Sequence, residues 1–216
     1  PILINDCGNV SMVAMIAERL LASIRRPLLL DGHDIALSAC IGISIYPSDA
    51  SDGDSLIRNA DAAMYRAKDE GRDSYQLYEP AMNARSLERL ALETALHHAL
   101  ERSELTLYFQ PLVDANSGEI TAVEALLRWN HPDLGLVPPA DFIPIAEDTG
   151  LIVSIGEWVL RSACSRHREW RKRGLGDMRM MVNISARQFR DPAFFDMVVR
   201  VLAETGMPAH QLTLEL

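Results

Sequence analysis

The segment Thr121-Ala-Val-Glu-Ala-Leu-Leu-Arg-Trp129 is apolar except for one carboxylate and one guanidinium near its middle. Strand side chains alternate faces. Ala122, Glu124, Leu126 and Arg128 therefore share one side, and Val123, Ala125, Leu127 and Trp129 share the other. Opposite charges on one face of a buried strand either pair with each other or meet a ligand. A metal ion beside a phosphate is a ligand that uses both. Two further polar groups fall near the ends of apolar runs. Asn183 closes Met180-Met-Val-Asn, and Glu215 faces away from Leu212, Leu214 and Leu216. Two carboxylates and an amide oxygen are hard donors, which suit Mg²⁺ or Mn²⁺ better than a soft metal. Arg128 has the planar fork that grips a phosphate. Each residue alone has a plainer use: a buried Glu124–Arg128 ion pair, a turn at Asn183, an exposed edge-strand position at Glu215.

The elements that must position these groups change character along the chain. Asn9 to Ile24 carries apolar residues at helical spacing. Leu28–Leu30, Asp31-Gly32 and Ile35–Ile45 predict a β-hairpin with an Asp-Gly turn. A helix follows from a cap at Asp54 or Ser55 to about Glu70, with Gly71 ending it and a short strand over 74–78. Residues 1–79 thus form an α+β fragment, and 80–104 form a linker helix. From residue 105 onward strands (105–113, 120–129, 178–184, 211–216) alternate with helices (about 139–148, 154–174, 191–205). That order predicts parallel β/α units, and the length supplies about half of an α/β barrel, which needs about 250 residues. Catalytic groups of such barrels sit at the C-terminal ends of strands.

Composition bounds the partners. The 216 residues carry a net charge of −9 and are 48% hydrophobic, a globular composition. The acidic balance argues against a nucleic-acid polymer as ligand. It leaves room for a small phosphate ligand held by local Arg and Lys side chains. The three cysteines, Cys7, Cys40 and Cys164, have no metal-site spacing and no even pairing, so a reducing cytoplasm is expected. No apolar run has the length of a membrane span. Pro1-Ile-Leu-Ile-Asn begins as if inside a domain, and Leu212-Thr-Leu-Glu-Leu216 stops within a strand. The chain is expected to be a slice of a longer protein.

Glu124-Ala-Leu-Leu-Arg-Trp129 resembles the signature of EAL-domain cyclic di-GMP phosphodiesterases. Tyr108-Phe-Gln-Pro111, His131-Pro132, Gly135-Leu-Val-Pro-Pro139, Phe142-Ile-Pro144, Ala146-Glu147, Gly150-Leu-Ile152 and Val182-Asn-Ile-Ser-Ala-Arg-Gln-Phe189 follow the same family pattern in order. The N-terminal part resembles the back half of a GGDEF (diguanylate cyclase) domain through Ser38-Ala-Cys-Ile-Gly-Ile43, Tyr46-Pro47, Asn59-Ala-Asp-Ala-Ala-Met-Tyr-Arg-Ala-Lys68 and Gly71-Arg72.

The resemblance implies a two-ion site of Mg²⁺ or Mn²⁺ and hydrolysis of cyclic di-GMP to the linear dinucleotide pGpG. Glu124, Asn183 and Glu215 would ligate metal. Gln110, Arg128 and Leu126 would contact the dinucleotide, and Glu147 and Pro144, with the Phe142-Ile-Pro segment, would line the guanine pocket. Lys68 and Arg72, four residues apart on one helical face, would contact GTP phosphates. Arg187 and Gln188 are expected at the exposed start of a surface helix. The family's later motifs, an Asp pair, a Lys and further Glu and Gln residues, would follow Leu216, and the Gly-Gly-Asp-Glu-Phe turn would precede Pro1. The chain alone is therefore expected to be inactive, and the activity to belong to a parent protein, expected as a homodimer with its own upstream or membrane-anchoring segments. Two expectations compete with it: a catalytically inactive cyclic di-GMP receptor, and a non-catalytic signalling scaffold in which the linker helix over 80–104 couples and dimerises two domains.

Overall fold

Among residues 1–30, 33–71, 73–175 and 178–216, which the computed structural model describes (apart from the side chains of 85 and 86), the chain divides into Pro1–Leu90 and Ala91–Leu216. In the first unit, the Asn9 side chain accepts the Met12 amide at 2.9 Å and opens helix α1, Val10–Ile24. This helix buries Ala17 and Leu21. Strand β1, Leu28–Leu30, pairs antiparallel with β2, His33–Ile35; the Asp31-Gly32 turn lies outside the described residues.

The expected long strand over 35–45 is divided. β2 stops at Ile35, and β3 covers only Ile41–Ile43, which pairs parallel with β4, Tyr75–Leu77. The reason is that the two ends of this apolar run serve different sheets. Helix α2, Gly53–Asp69, joins β3 to β4. Its cap is Asp52, whose carboxylate accepts the Ser55 amide at 2.8 Å, rather than Asp54 or Ser55. Asp52 is the residue whose side chain reaches the third helical amide. Ala62, Ala63 and Ala67 of α2 are buried. Gly42 of β3 lies against the α2 backbone, where a Cβ would stand 1.9 Å from the Ala60 carbonyl oxygen.

Helix α3, Ala81–Ala99, contains the division between the units. In the second unit β5, Leu105–Val113, and β6, Ile120–His131, form an antiparallel hairpin. This corrects the expectation of parallel units from residue 105 onward. Only the turn 114–119 joins the two strands, and a parallel crossover needs a dozen or more residues. The Asp114 carboxylate accepts the Ser117 and Asn116 amides, both at 2.9 Å, and these bonds, Ser117's foremost, hold its pKa below the ordinary carboxylate value. A short β7, Gly135–Val137, folds back on β6.

Parallel pairing begins after the helices. β6 pairs with β8, Arg179–Asn183, and β8 with β9, Leu212–Glu215. Between them run α4 (Pro139–Thr149), α5 (Leu151–Lys172), the short α6 (Ala186–Phe189) and α7 (Phe194–Thr205). Gly150, at φ 88°, ends α4 and leads directly into α5, which therefore starts earlier than residue 154. The described sheet runs β5-β6-β8-β9 and does not close into a barrel. Trp129, Phe142, Ile145, Leu160, Met180 and Val182 lie in its core, where the helices meet one face of the sheet. Trp158 and Trp170 pack against that core, the latter edge-on to Phe109. No described helix is long and apolar enough to cross a membrane.

Candidate active site on the open sheet face

The strand registers sort the side chains of the second unit into two faces. Phe109 is opposite Ala125, Ala125 opposite Val182, and Val182 opposite Leu214; all four belong to the core face. The alternate positions form the other face. There Gln110 is opposite Glu124, Glu124 opposite Met181, and Asn183 opposite Glu215. A shift of one residue in any pair would bury these polar groups in the core instead. The Asp114 turn fixes the first register, and the apolar pairs of the core face fix the others.

On this face the Asn183 amide donates to Glu124 at 2.7 Å across the gap between β6 and β8. Asn183 is the last residue of β8 and Glu215 the last of β9, as expected for groups at strand ends. Glu124 lies nearer the start of β6, but β8 pairs only with 122–125, so Glu124 stands one residue before the end of the parallel part. The Ile184 amide donates to the Glu215 carbonyl at 2.7 Å and continues the β8–β9 ladder past Asn183. Gln110 and Asn183 are exposed, and Glu124 and Glu215 are half-buried.

Glu124 and Arg128 do not form an ion pair among the described residues, which removes the plainest explanation of their shared face. Arg128 instead lies over the Tyr108 ring, 5.5 Å from its centroid, and donates to its neighbour Leu127's carbonyl at 2.8 Å. A guanidinium has five N–H donors, and among the described residues the Leu127 carbonyl is the acceptor for the Arg128 fork. Tyr108 is a member of this face that the sequence reasoning passed over. The signal was present, because Tyr108 and Gln110 are two apart on a strand and must share a side.

The remaining candidates divide. Leu126 shares the face and is half-buried. Pro144 is exposed within α4, and Glu147 is half-buried near the end of that helix; neither side chain bonds to the sheet-face residues. Phe142 is fully buried and packs edge-on to Trp129, so it belongs to the core rather than to a pocket wall. Gln188 is also buried, against the expectation of a surface position. Lys68 is half-buried in the last turn of α2, and Arg72 lies outside the described residues, so the pair cannot be placed together.

A divalent ion fits the donor set of the open face. Glu124, Asn183 and Glu215 bring oxygen donors onto neighbouring strands, and the Met181 thioether, opposite Glu124, is the soft group among them. Two carboxylates and one amide make a weak, incomplete cage by themselves. Accordingly, no described group of three or more His, Cys, Asp or Glu side chains is placed to hold a metal.

Comparison with known proteins gives the family. The EAL domain family model matches residues 93–216, and the diguanylate cyclase, GGDEF domain model matches residues 2–74. The bifunctional diguanylate cyclase/cyclic di-GMP phosphodiesterase MucR of Pseudomonas aeruginosa is 44% identical over 214 residues, covering 99% of this chain and 31% of MucR. The cyclic di-GMP phosphodiesterase PdeR of Escherichia coli is 38% identical over 215 residues, covering 100% of this chain and 32% of PdeR. The solved PaMucR phosphodiesterase, in complex with c-di-GMP, superposes with a TM-score of 0.57 at 46% identity, over 58% of this chain and 51% of that one. The chain thus spans about a third of the length of these two relatives. With a model match over more than half its residues, the chain belongs to the EAL-domain family, its EAL segment preceded by a GGDEF segment.

Proposed function

We propose that the second unit is the first part of a cyclic di-GMP phosphodiesterase site, and that the protein carrying it opens cyclic di-GMP to linear pGpG. The observation that carries this reading is the single sheet face on which Gln110, Glu124, Asn183 and Glu215 stand with Arg128. In that reading the sheet is one wall of a (β/α) barrel, with its polar face toward the lumen. The PaMucR phosphodiesterase, which superposes on this chain, was solved with c-di-GMP.

Hydrolysis adds water across one phosphodiester. The water oxygen bonds to phosphorus, one P–O ester bond breaks, and the departing ribose oxygen takes up a proton. Bound Mg²⁺ or Mn²⁺ would supply Lewis-acid stabilisation and an acidified water. Glu124, Asn183 and Glu215 would hold the ions from one side. Arg128, steadied by the Tyr108 ring, binds the phosphate and orients it. Gln110, opposite Glu124, positions the same backbone. Leu126, Pro144 and Glu147 are assigned to the base pocket on the family pattern. In the first unit, Lys68 is assigned to GTP phosphates, supported by the GGDEF model match.

The test is a chromatographic assay of the full-length protein with cyclic di-GMP and Mg²⁺, beside its Glu124→Ala variant. Linear dinucleotide from the wild type and none from the variant supports the assignment. Undiminished turnover in the variant removes Glu124 from the site. Retention of cyclic di-GMP without product would make the protein a receptor.

A further inference from the structure

We infer that Arg187 and Gln188 are positioning residues for Asn183, locking the turn after β8 to two helices at once. The inference rests on the reading of Asn183 as a metal donor. Asn183 ends its strand, and the chain then turns through Ile184 and Ser185 into α6. A donor at a strand end is subject to fraying unless the turn beyond it is fixed. A metal-site geometry tolerates only about 0.5 Å of drift.

Two sets of contacts fix it. Gln188 and Ser185 form a reciprocal capping box, with the Gln188 amide donating to Ser185 Oγ at 3.2 Å and the Ser185 amide donating to Gln188 Oε1 at 3.0 Å. The same Gln188 side chain is only 3% exposed and lies against Gly156 of α5. A Cβ on Gly156 would stand 1.8 Å from Gln188 Nε2. On the other side, Arg187 Nη1 donates to the carbonyls of Glu147 and Asp148, the latter at 3.1 Å. These carbonyls lie where α4 ends, with few intrahelical donors left to meet them, and the negative end of the helix dipole favours a cation there. Gly150 leaves room for the guanidinium, since a Cβ on it would stand 2.9 Å from Arg187 Nη2. The Arg187 link also ties the metal-donor turn to α4, the helix that carries Pro144 and Glu147. One short segment thereby sets Asn183 relative to both helices.

The test uses the full-length protein stripped of metal, with Mn²⁺ binding measured by calorimetry, and separately kcat, KM and thermal stability. The variants are Arg187→Ala, Arg187→Lys and Gly156→Ala, with Asn183→Ala as reference. Loss of an outer support for a metal ligand costs about 10–100-fold in metal affinity. Arg187→Ala and Gly156→Ala are expected to weaken Mn²⁺ binding by that factor and to lower kcat while KM stays nearly constant. Arg187→Lys, which keeps the cation but not the fork, is expected to recover part of the loss. If Asn183→Ala weakens Mn²⁺ binding and the Arg187 and Gly156 variants do not, the positioning role is overturned and the ligand reading stands. If Asn183→Ala leaves Mn²⁺ binding unchanged, the ligand reading itself has failed, and the inference goes with it.

Discussion

Replacing Gly42 by alanine should detach helix α2 from the strand beneath it. The added methyl would stand 1.9 Å from the Ala60 carbonyl oxygen, 2.2 Å from the Met64 nitrogen and 2.8 Å from the Met64 Cα. All three atoms are backbone, so no rotamer change relieves the overlap. Non-bonded heavy atoms sit comfortably at about 3.5 Å, so the helix must withdraw by roughly 1.5 Å. Withdrawal also loosens the packing of Ala63 and Ala67, both fully buried on this helix. Overpacking alone costs about 1–3 kcal/mol and sometimes more. With lost contacts added, about 3 kcal/mol or more is expected, a large part of a domain's 5–15 kcal/mol or so. The assay is hydrogen exchange of α2 amides in the full-length protein, which reports the opening free energy of that helix alone. Gly53→Ala is the control, because nothing lies within 4 Å of its added methyl. That change should be neutral or stabilise the helix by up to about 1 kcal/mol. Equal protection of α2 in wild type and Gly42→Ala would refute the reasoning.

Two further outcomes follow from the second unit. Glu157 on α5 accepts from Arg200 of α7 at 2.9 Å and from Arg161 at 3.1 Å, and these bonds, Arg200's foremost, hold its pKa below the ordinary carboxylate value. A depressed carboxylate adds stability above its unfolded pKa and loses it as pH falls through the folded one. Glu157→Gln should therefore cost about 0.2–1 kcal/mol near neutral pH, the range for exposed pairs, and the gap should narrow below pH ~4.5 and vanish in stronger acid; urea titrations across pH would show it, and a pH-independent gap would contradict it. Burial pushes the Cys164 thiol up to about 11, so iodoacetamide should label Cys7 and Cys40 in the native protein and Cys164 only after urea unfolding, as read by mass spectrometry; native labelling of Cys164 would count against the packed core around α5.

The candidate site was more legible in the sequence than the sheet that bears it. Alternation along Thr121–Trp129 placed Glu124 and Arg128 on one side, and the strand registers keep them there. Asn183 and Glu215 fall near the ends of apolar runs, which is a local pattern, and strand pairing sets them opposite each other. Strand direction is not local. The antiparallel β5–β6 hairpin is legible only in the six residues between its strands, too few for a parallel crossover, and the strand–helix alternation that follows it suggests the opposite direction. The division of 35–45 between two sheets was equally hidden, because its apolar residues look alike whichever partner they meet. Gln188 was misplaced for a related reason. A polar residue at a helix start ordinarily faces water, and only the missing side chain of a glycine thirty-two positions earlier makes room to bury it.

That glycine has a consequence for how such sequences can change over time. Glycine inside a helix costs about 1 kcal/mol relative to alanine, so Gly156 sits under steady pressure toward replacement. The volume it yields is already occupied by the Gln188 amide, which also closes the Ser185 cap. Neither position can drift alone: a larger residue at 156 requires a shorter one at 188, and a shorter one at 188 opens the turn beyond Asn183. Substitutions at these two sites should be inherited as pairs, and lineages that lose the glycine should be those in which selection on Asn183 has relaxed.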